Sequence, residues 1–227
     1  MNRLLTNTAL DLAALGKRAV NATLREAESG SFELLNPNGA HNLACGLRHP
    51  VDVTIRGHAG YYAAGMNQRA SVTIDGNAGT GVAENMMSGT VRVKGGVSQS
   101  AGATAHGGLL VVHGDASARC GISLKGAEIV VGGSVGAMSA FMAQAGVLVV
   151  CGDAGEALGD SIYEARLYVR GRVRSLGSDC EEKPMDDAAR AEVADLLARA
   201  GIEAAPGEFR QYGSARQLYN FHVDDAW

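Results

Sequence analysis

The stretch Leu110-Val-Val-His-Gly114 is followed by Ile129-Val-Val-Gly-Gly133 and Leu148-Val-Val-Cys-Gly152, so that one short pattern recurs at a fixed distance. Each final glycine lies 19 residues after the one before it (133 − 114 = 19 and 152 − 133 = 19). The same spacing connects seven glycines: Gly57, Gly76, Gly95, Gly114, Gly133, Gly152 and Gly171. A period kept without an insertion over so many copies predicts a stack of equivalent coils.

Each of these glycines ends a short run of β-branched or other apolar residues, which predicts a strand that stops at a turn. A glycine in every copy indicates one of two backbone requirements. Either the backbone there needs a positive φ, or the neighbouring coil lies so close that no Cβ fits. We therefore interpret the seven glycines as structural turn residues and not as catalytic ones.

Aligning the copies on the glycine shows which positions face the core. The residue two after the glycine is apolar in every copy: Ala59, Ala78, Val97, Ala116, Val135, Ala154 and Val173. The residue seven after it is always small: Ala64, Ala83, Gly102, Gly121, Ala140 and Gly159. Coils with such interiors share a core only by stacking strand over strand, which predicts an all-β, single-stranded parallel β-helix of about seven coils. A left-handed hexapeptide helix needs 18 residues per coil in three equal sides, so 19 residues favour the right-handed form.

The composition changes at both ends of the repeat, which predicts three parts. Residues 1–50 form a small α/β cap with a helix over residues 17–29, a strand from Phe32 and a degenerate first coil. Residues 51–175 form the β-helix. Residues 176–227 contain a helix that begins at Asp186 or Asp187 and ends at Ala200, followed by an aromatic tail that we expect to dock: Phe209, Tyr212, Tyr219, Phe221 and Trp227.

The bulk properties exclude several classes of protein. No run of 18 apolar residues is present, so no membrane-spanning helix is predicted. The formal net charge of −4 gives no reason to expect a nucleic-acid partner. The first residues do not have the basic and apolar regions of a secretory signal, and the four cysteines have no paired spacing. We therefore expect a reduced, cytoplasmic protein.

A search for chemistry returns structural interpretations. The GxxG at Gly152–Gly155 recurs in other coils and has no βαβ unit around it, so it is a repeat turn and not a dinucleotide loop. Asp115 and Asp153 stand in one column two coils apart, which fits turn carboxylates better than an acid/base pair. The six histidines show no ligand spacing, and Cys45 and Cys120 fit core thiols. We predict no catalytic, cofactor-binding or metal-ligating residue in this chain.

One column is a candidate interface. The residue three before each glycine alternates with inward positions and should face outward. It is polar in the first three coils and apolar in the last four, where it forms a stripe of Val111, Val130, Val149 and Tyr168. An apolar stripe on an exposed face needs a cover. Either the C-terminal segment folds back over the stripe, or a partner subunit binds it.

Beyond these patterns, the repeated strand-Gly-x-x-Gly coil resembles the GXGXG domain that closes the large subunit of glutamate synthase. Four longer stretches, at residues 36–47, 57–67, 83–89 and 159–171, resemble the separate-subunit branch of that family. That branch is the small β-helix subunit of N-methylglutamate synthase, also called methylamine–glutamate N-methyltransferase. The likeness runs from about residue 32 to the C-terminus.

This resemblance implies a split glutamate synthase. Its partners would be a class II amidotransferase-like subunit and an FMN-binding glutamate-synthase-like subunit, with FMN and Fe–S in a partner and no cofactor in this chain. The chain itself would be a non-catalytic scaffold of an enzyme that converts methylamine and L-glutamate to N-methylglutamate and ammonia. Two alternatives stay open: the β-helix subunit of a formylmethanofuran-dehydrogenase type of complex, and a stand-alone β-helix enzyme.

Overall fold

The computed structural model describes residues 7–217. The elements in chain order are β1 (Asn7–Asp11), α1 (Leu12–Glu26), β2 (Gly30–Leu35), β3 (Val51–Ile55), β4 (Ser71–Ile74), β5 (Thr90–Val93), β6 (Leu109–Val112), β7 (Lys125–Val131), β8 (Ala145–Val150), β9 (Arg166–Val169), β10 (Cys180–Lys183), α2 (Asp187–Ala200), a 3-10 turn (Pro206–Glu208) and β11 (Arg210–Ser214).

The strands form a parallel β-solenoid, as the 19-residue period predicts. Strands β1 to β9 follow one another in a single parallel ladder, and the full order of the sheet is β1-β2-β3-β4-β5-β6-β7-β8-β9-β11-β10. From β3 to β9 the partners are 19 residues apart, as in Val53↔Val72 and Leu148↔Leu167, except at the start of β7, where Lys125 pairs with Ala145. A second ladder joins the apolar column two residues after the glycine, from Ala59 to Val173. The inward columns form one continuous buried core.

A third side of each coil has a backbone that the sequence did not predict. In the six coils that follow Gly57 to Gly152, the residues five, seven and nine after the column glycine all have positive φ, and where they are not glycine their φ lies between 51 and 60°. In the coil after Gly57 these residues are Tyr62, Ala64 and Met66. The middle position is buried, as at Ala64 and Ala83. The small column is therefore small because its residues are both left-handed and packed against the core.

The residue one after the glycine connects successive coils through its side chain. His58, Asn77, Asp115, Ser134 and Asp153 each accept a hydrogen bond from the backbone N–H 19 residues later, at distances of 2.7–3.0 Å. These side chains satisfy turn donors that the coil stacking leaves unpaired. The acidic pair of this column, Asp115 and Asp153, is thus part of the turn scaffold.

The N-terminal end is capped by β1, β2 and α1. Strand β1 extends the parallel ladder beside β2, and α1 contains a non-helical Gly16 with a φ of 74°. The part after Gly16 agrees with the predicted helix and buries Val20 and Leu24. Asn21 of α1 is buried, and its side-chain amide donates to the Asn42 carbonyl and accepts from the Ala44 N–H. It thus supplies hydrogen bonds that the backbone of a preceding coil would make.

The C-terminal end turns back over the solenoid. Strand β11 pairs antiparallel with β9 and with β10, so it occupies the edge of the last parallel strand. Helix α2 has Asp186 as its N-cap and Gly201, in a left-handed conformation, as its C-cap, as the sequence predicts. Of the tail aromatics, Phe209 and Tyr212 are buried. Tyr219, Phe221 and Trp227 lie outside the described residues.

Candidate functional surfaces

The glycine column marks a close approach between coils. A Cβ on Gly114 would lie 2.9 Å from the carbonyl carbon of Gly95 and 2.9 Å from the amide nitrogen of Gly96. The corresponding glycines of the neighbouring coils meet the preceding backbone in the same way, and only Gly57 of the seven has a positive φ, at 134°. Of the two requirements that the sequence left open, the structure thus shows lack of space for a Cβ at six positions and a positive φ at one.

The apolar stripe faces outward from the solenoid but is not an interface. Val111, Val130 and Val149 are each 0% exposed, and Tyr168 is 1% exposed. They belong to a second hydrophobic cluster together with one face of α2 and with Phe209. The residues that α2 contributes are Ala189, Val193, Leu196, Leu197 and Ala200. Of the two covers that the sequence left open, the structure shows the chain's own C-terminal part, so Val111, Val130, Val149 and Tyr168 are not free to form a partner interface.

Polar contacts at both ends hold α2 on the stripe. Near the start of the helix, Glu192 accepts from Arg166 at 2.7 and 2.8 Å and from the Tyr168 hydroxyl at 2.6 Å. At its end, Arg92 donates to the carbonyl oxygens of Arg199 and Ala200 at 2.6 and 2.9 Å. Arg92 stands in the same outward column as the stripe, so one column supplies both the apolar contact and the cap of the helix C-terminus.

These contacts predict a pH-dependent loss of stability. The Arg166 guanidinium and the Tyr168 hydroxyl hold the pKa of the Glu192 carboxyl below its usual range. A depressed folded-state pKa stabilises the protein above the ordinary glutamate pKa of about 4.3, and this contribution is lost as the pH falls through the folded-state value. We expect urea unfolding midpoints to fall less between about pH 5 and pH 3 in Glu192→Gln than in the parent chain. Equal falls in the two proteins would show that Glu192 contributes nothing.

A cavity of about 580 Å³ lies beside the Arg166–Glu192 ion pair, between α2 and β11. Its wall includes Arg166, Glu192, Lys183, Glu164 and Arg216. The charged groups form ion pairs with one another or with neighbours: Arg166 with Glu192, Arg216 with Glu164, and Lys183 with Glu181. Burial and the hydrogen bond to Glu192 raise the pKa of the Tyr168 hydroxyl. The Tyr168 hydroxyl donates to Glu192 and so helps to hold α2 on the stripe.

The cysteines and histidines do not converge on a site. Cys120 is fully buried, and burial raises the pKa of its thiol to about 12, as expected of a core thiol. Cys45 is only partly buried and donates from its Sγ to the Tyr62 carbonyl at 2.7 Å. Within residues 7–217, no group of three or more His, Cys, Asp or Glu side chains could hold a metal ion. No helix in the same range is long and apolar enough to cross a bilayer.

Large apolar side chains are exposed on two adjacent coils near the N-terminal end. Tyr61, Tyr62, Met66 and Met87 are 51, 45, 55 and 48% exposed, and we call these four residues the Tyr/Met patch. Tyr61 stacks on His41 with ring centroids 4.4 Å apart. Tyr62 and Met66 have positive φ, at 59 and 55°. Exposure of four bulky apolar side chains on neighbouring coils is unfavourable in water, so the patch is the best candidate for a binding surface.

Comparison with known proteins gives one finding that bears on the family. The chain is 54% identical over 222 residues to Protein GlxC of Rhizobium meliloti (strain 1021). The aligned region covers 96% of this chain and 97% of that protein. No protein-family model matches the chain. No solved structure matches it either.

Proposed function

The chain belongs to the family of Protein GlxC, and on that premise we propose that it is a non-catalytic β-solenoid scaffold subunit of a glutamate-synthase-like complex. The observation that carries the proposal is the GXGXG-like coil, since the 19-residue period in the sequence and the stacked coils of the fold are the features that the resemblance rests on. The family of Protein GlxC, which the chain matches over 96% of its length, is consistent with this proposal.

The arrangement of polar groups supports a scaffold. The turn carboxylates Asp115 and Asp153 accept from backbone N–H groups, and Glu192 is held by Arg166 and Tyr168. Catalysis by side chains requires a nucleophile or a base within hydrogen-bonding distance of a group that activates it. These carboxylates instead join coils or hold α2 on the solenoid.

The enzyme that we propose for this subunit is N-methylglutamate synthase, which joins methylamine to L-glutamate and releases ammonia. The support is the resemblance of residues 36–47, 57–67, 83–89 and 159–171 to the small subunit of that enzyme. The partners would be a class II amidotransferase-like subunit and an FMN-binding glutamate-synthase-like subunit. FMN and Fe–S would then be held by a partner, and the complex would be cytoplasmic.

Assembly needs a surface other than the stripe, because α2 covers the stripe. We assign this role to the Tyr/Met patch, with the FMN-binding subunit as its occupant. Tyrosine and methionine are enriched in protein interfaces, and both side chains lose exposed apolar area on binding. The groove of about 310 Å³ beside Tyr62 and Met66 is also lined by Arg25 and Glu84, so it can receive an apolar side chain within a polar rim.

The patch can be tested without disturbing the fold. Asparagine tolerates a left-handed backbone, so Tyr62→Asn with Met66→Asn should leave the melting temperature of the isolated chain unchanged or slightly higher. The same double variant should weaken binding to the FMN-binding subunit by about tenfold or more. Isothermal titration calorimetry with that purified subunit measures the effect.

A matched control stands four coils away. Met138 and Met142 occupy the same two columns with φ of 57 and 51°, so Met138→Asn with Met142→Asn places asparagine at the equivalent positions outside the patch. Equal weakening by both double variants would contradict the assignment of the patch but not the proposed subunit. If the parent chain binds neither partner subunit, the proposed function itself is wrong. Copurification with molybdopterin proteins would then favour the formylmethanofuran-dehydrogenase type of complex.

A further inference from the structure

Within residues 7–217, the last coil of the solenoid leaves part of the core uncovered. The residue six after the glycine points inward in every coil, and the members of this column from Ala63 to Leu158 are 0 or 1% exposed. In the last coil the register shifts by one residue, so that Leu176, five after Gly171, pairs with Leu158, yet it is 37% exposed. Val173 is also more exposed than the earlier members of its column. Strand β11 occupies the edge of β9, so the uncovered part is the segment of residues 172–178, which we call the end coil.

The end coil also has a free strand edge. In the coil before it, the Ala154 N–H donates to the Arg172 carbonyl at 2.8 Å, and the Ala154 carbonyl accepts from the Arg174 N–H at 3.0 Å. Val173 stands at the position of Ala154 and is followed by no further coil within the described residues. Its backbone donor and acceptor therefore face the open end, where an extended segment could bind by strand addition.

Two arginines flank this edge. The side chains of Arg172 and Arg174 are 93 and 75% exposed, and each has one carboxylate neighbour, Asp153 at 3.6 Å and Glu156 at 3.1 Å. The groove of about 440 Å³ beside them is lined by Arg172, Val173 and Arg174 together with the turn of the coil before. The end coil thus combines apolar positions, an open edge and exposed positive charge.

We propose that the occupant of the end coil is the chain's own C-terminal sequence, residues 218–227. The described chain reaches the rim of the end coil at Asp179, where the Ala215 N–H donates to the Asp179 carbonyl and the Gln217 N–H donates to its carboxylate, both at 2.8 Å. A segment running antiparallel from there reaches Arg172 after seven residues (179 − 172 = 7), about 23 Å at 3.3 Å per residue. Ten residues remain after Gln217, so the length suffices.

The sequence of this segment fits the edge in pattern and in charge. Tyr219, Phe221 and Val223 alternate with polar residues, which is the pattern of a half-buried strand. Seven residues after Gln217 comes Asp224, followed by Asp225, so the two carboxylates reach the region of Arg172 and Arg174.

A second copy of the chain fits the end coil less well. Two end coils placed against each other would bring Arg172 and Arg174 of one copy beside the same residues of the other, and like charges disfavour that contact. The C-terminal sequence is tethered next to its site, which gives it an effective concentration in the millimolar range that a separate protein does not have.

The test is amide hydrogen exchange of the end coil in the isolated full-length chain. We expect the amides of residues 173–176 to exchange about tenfold faster after truncation behind Gln217. Arg172→Asp with Arg174→Asp should also speed exchange, and adding Asp224→Arg with Asp225→Arg should restore protection. Arg69→Asp, an exposed arginine on a distant coil, is the matched control and should change nothing.

Two results would overturn the proposal. One is equal exchange of residues 173–176 in the truncated and full-length chains, with no response to the charge reversals. The other is protection that rises with protein concentration together with a dimer in analytical ultracentrifugation, which would make a second copy the occupant. Because the charge-reversal variants keep the full chain, the test stays decisive if the truncated protein does not fold.

Discussion

Val130→Lys is expected to destabilise the isolated chain by about 3–5 kcal/mol, because it places an unpaired ammonium between β7 and α2. Val130 is 0% exposed and lies in the middle of the stripe that α2 covers. The loss should appear in urea unfolding of the purified chain with no other protein present.

The matched control for this change is Thr73→Lys. Thr73 stands in the same outward column, but it lies in a coil that α2 does not cover and is only partly buried. A lysine there can reach water, so its effect on the free energy of unfolding should stay within about 0.5 kcal/mol. Equal stabilities of Val130→Lys and the parent chain would mean that α2 does not rest on the stripe.

The second large effect is expected at the glycine column. Gly114→Val should lower the free energy of unfolding by about 3 kcal/mol, because the new side chain meets the Gly95–Gly96 backbone, which cannot rotate out of the way. Thermal and urea unfolding followed by circular dichroism measure the loss. Gly207→Val is the control, since a Cβ at Gly207 has no neighbour within 4 Å.

The last coil is expected to respond as strongly as the middle one. A terminal position is ordinarily easier to relax, but a Cβ on Gly171 would lie 2.4 Å from the Gly152 carbonyl oxygen. We therefore expect Gly171→Val to cost at least as much as Gly114→Val. A much smaller loss at Gly171 would show that the last coil shifts to accept the side chain.

The period of the sequence predicted the solenoid because one residue type recurs where the backbone permits no other. The column glycines lie against the preceding coil, and the inward apolar columns alternate with exposed ones. These are short-range steric and burial constraints, so they leave a visible pattern in the chain. The caps of α2, Asp186 and Gly201, were predictable for the same reason. The right-handed sense of the coils stays a prediction.

Two features were not predictable because they depend on contacts without a periodic signature. The left-handed residues five and nine after the glycine include Tyr62, Met66 and Arg119, which are not the residue types that favour positive φ. Their conformation is imposed by the hydrogen bonds between stacked coils. The sequence could not decide between the C-terminal segment and a partner as the cover of the stripe, because an apolar outward column looks the same in both cases.

The most direct test of a non-catalytic scaffold is the activity of this chain alone and in a reconstituted complex. We expect the purified chain to show no flavin absorbance, no glutamine hydrolysis and no transfer of methylamine to glutamate. Activity should appear when the amidotransferase-like and FMN-binding subunits are added, and it should fall strongly when this chain is omitted from the mixture. A flavin spectrum or either activity in the isolated chain would contradict the account, as would full activity of the two partner subunits without it.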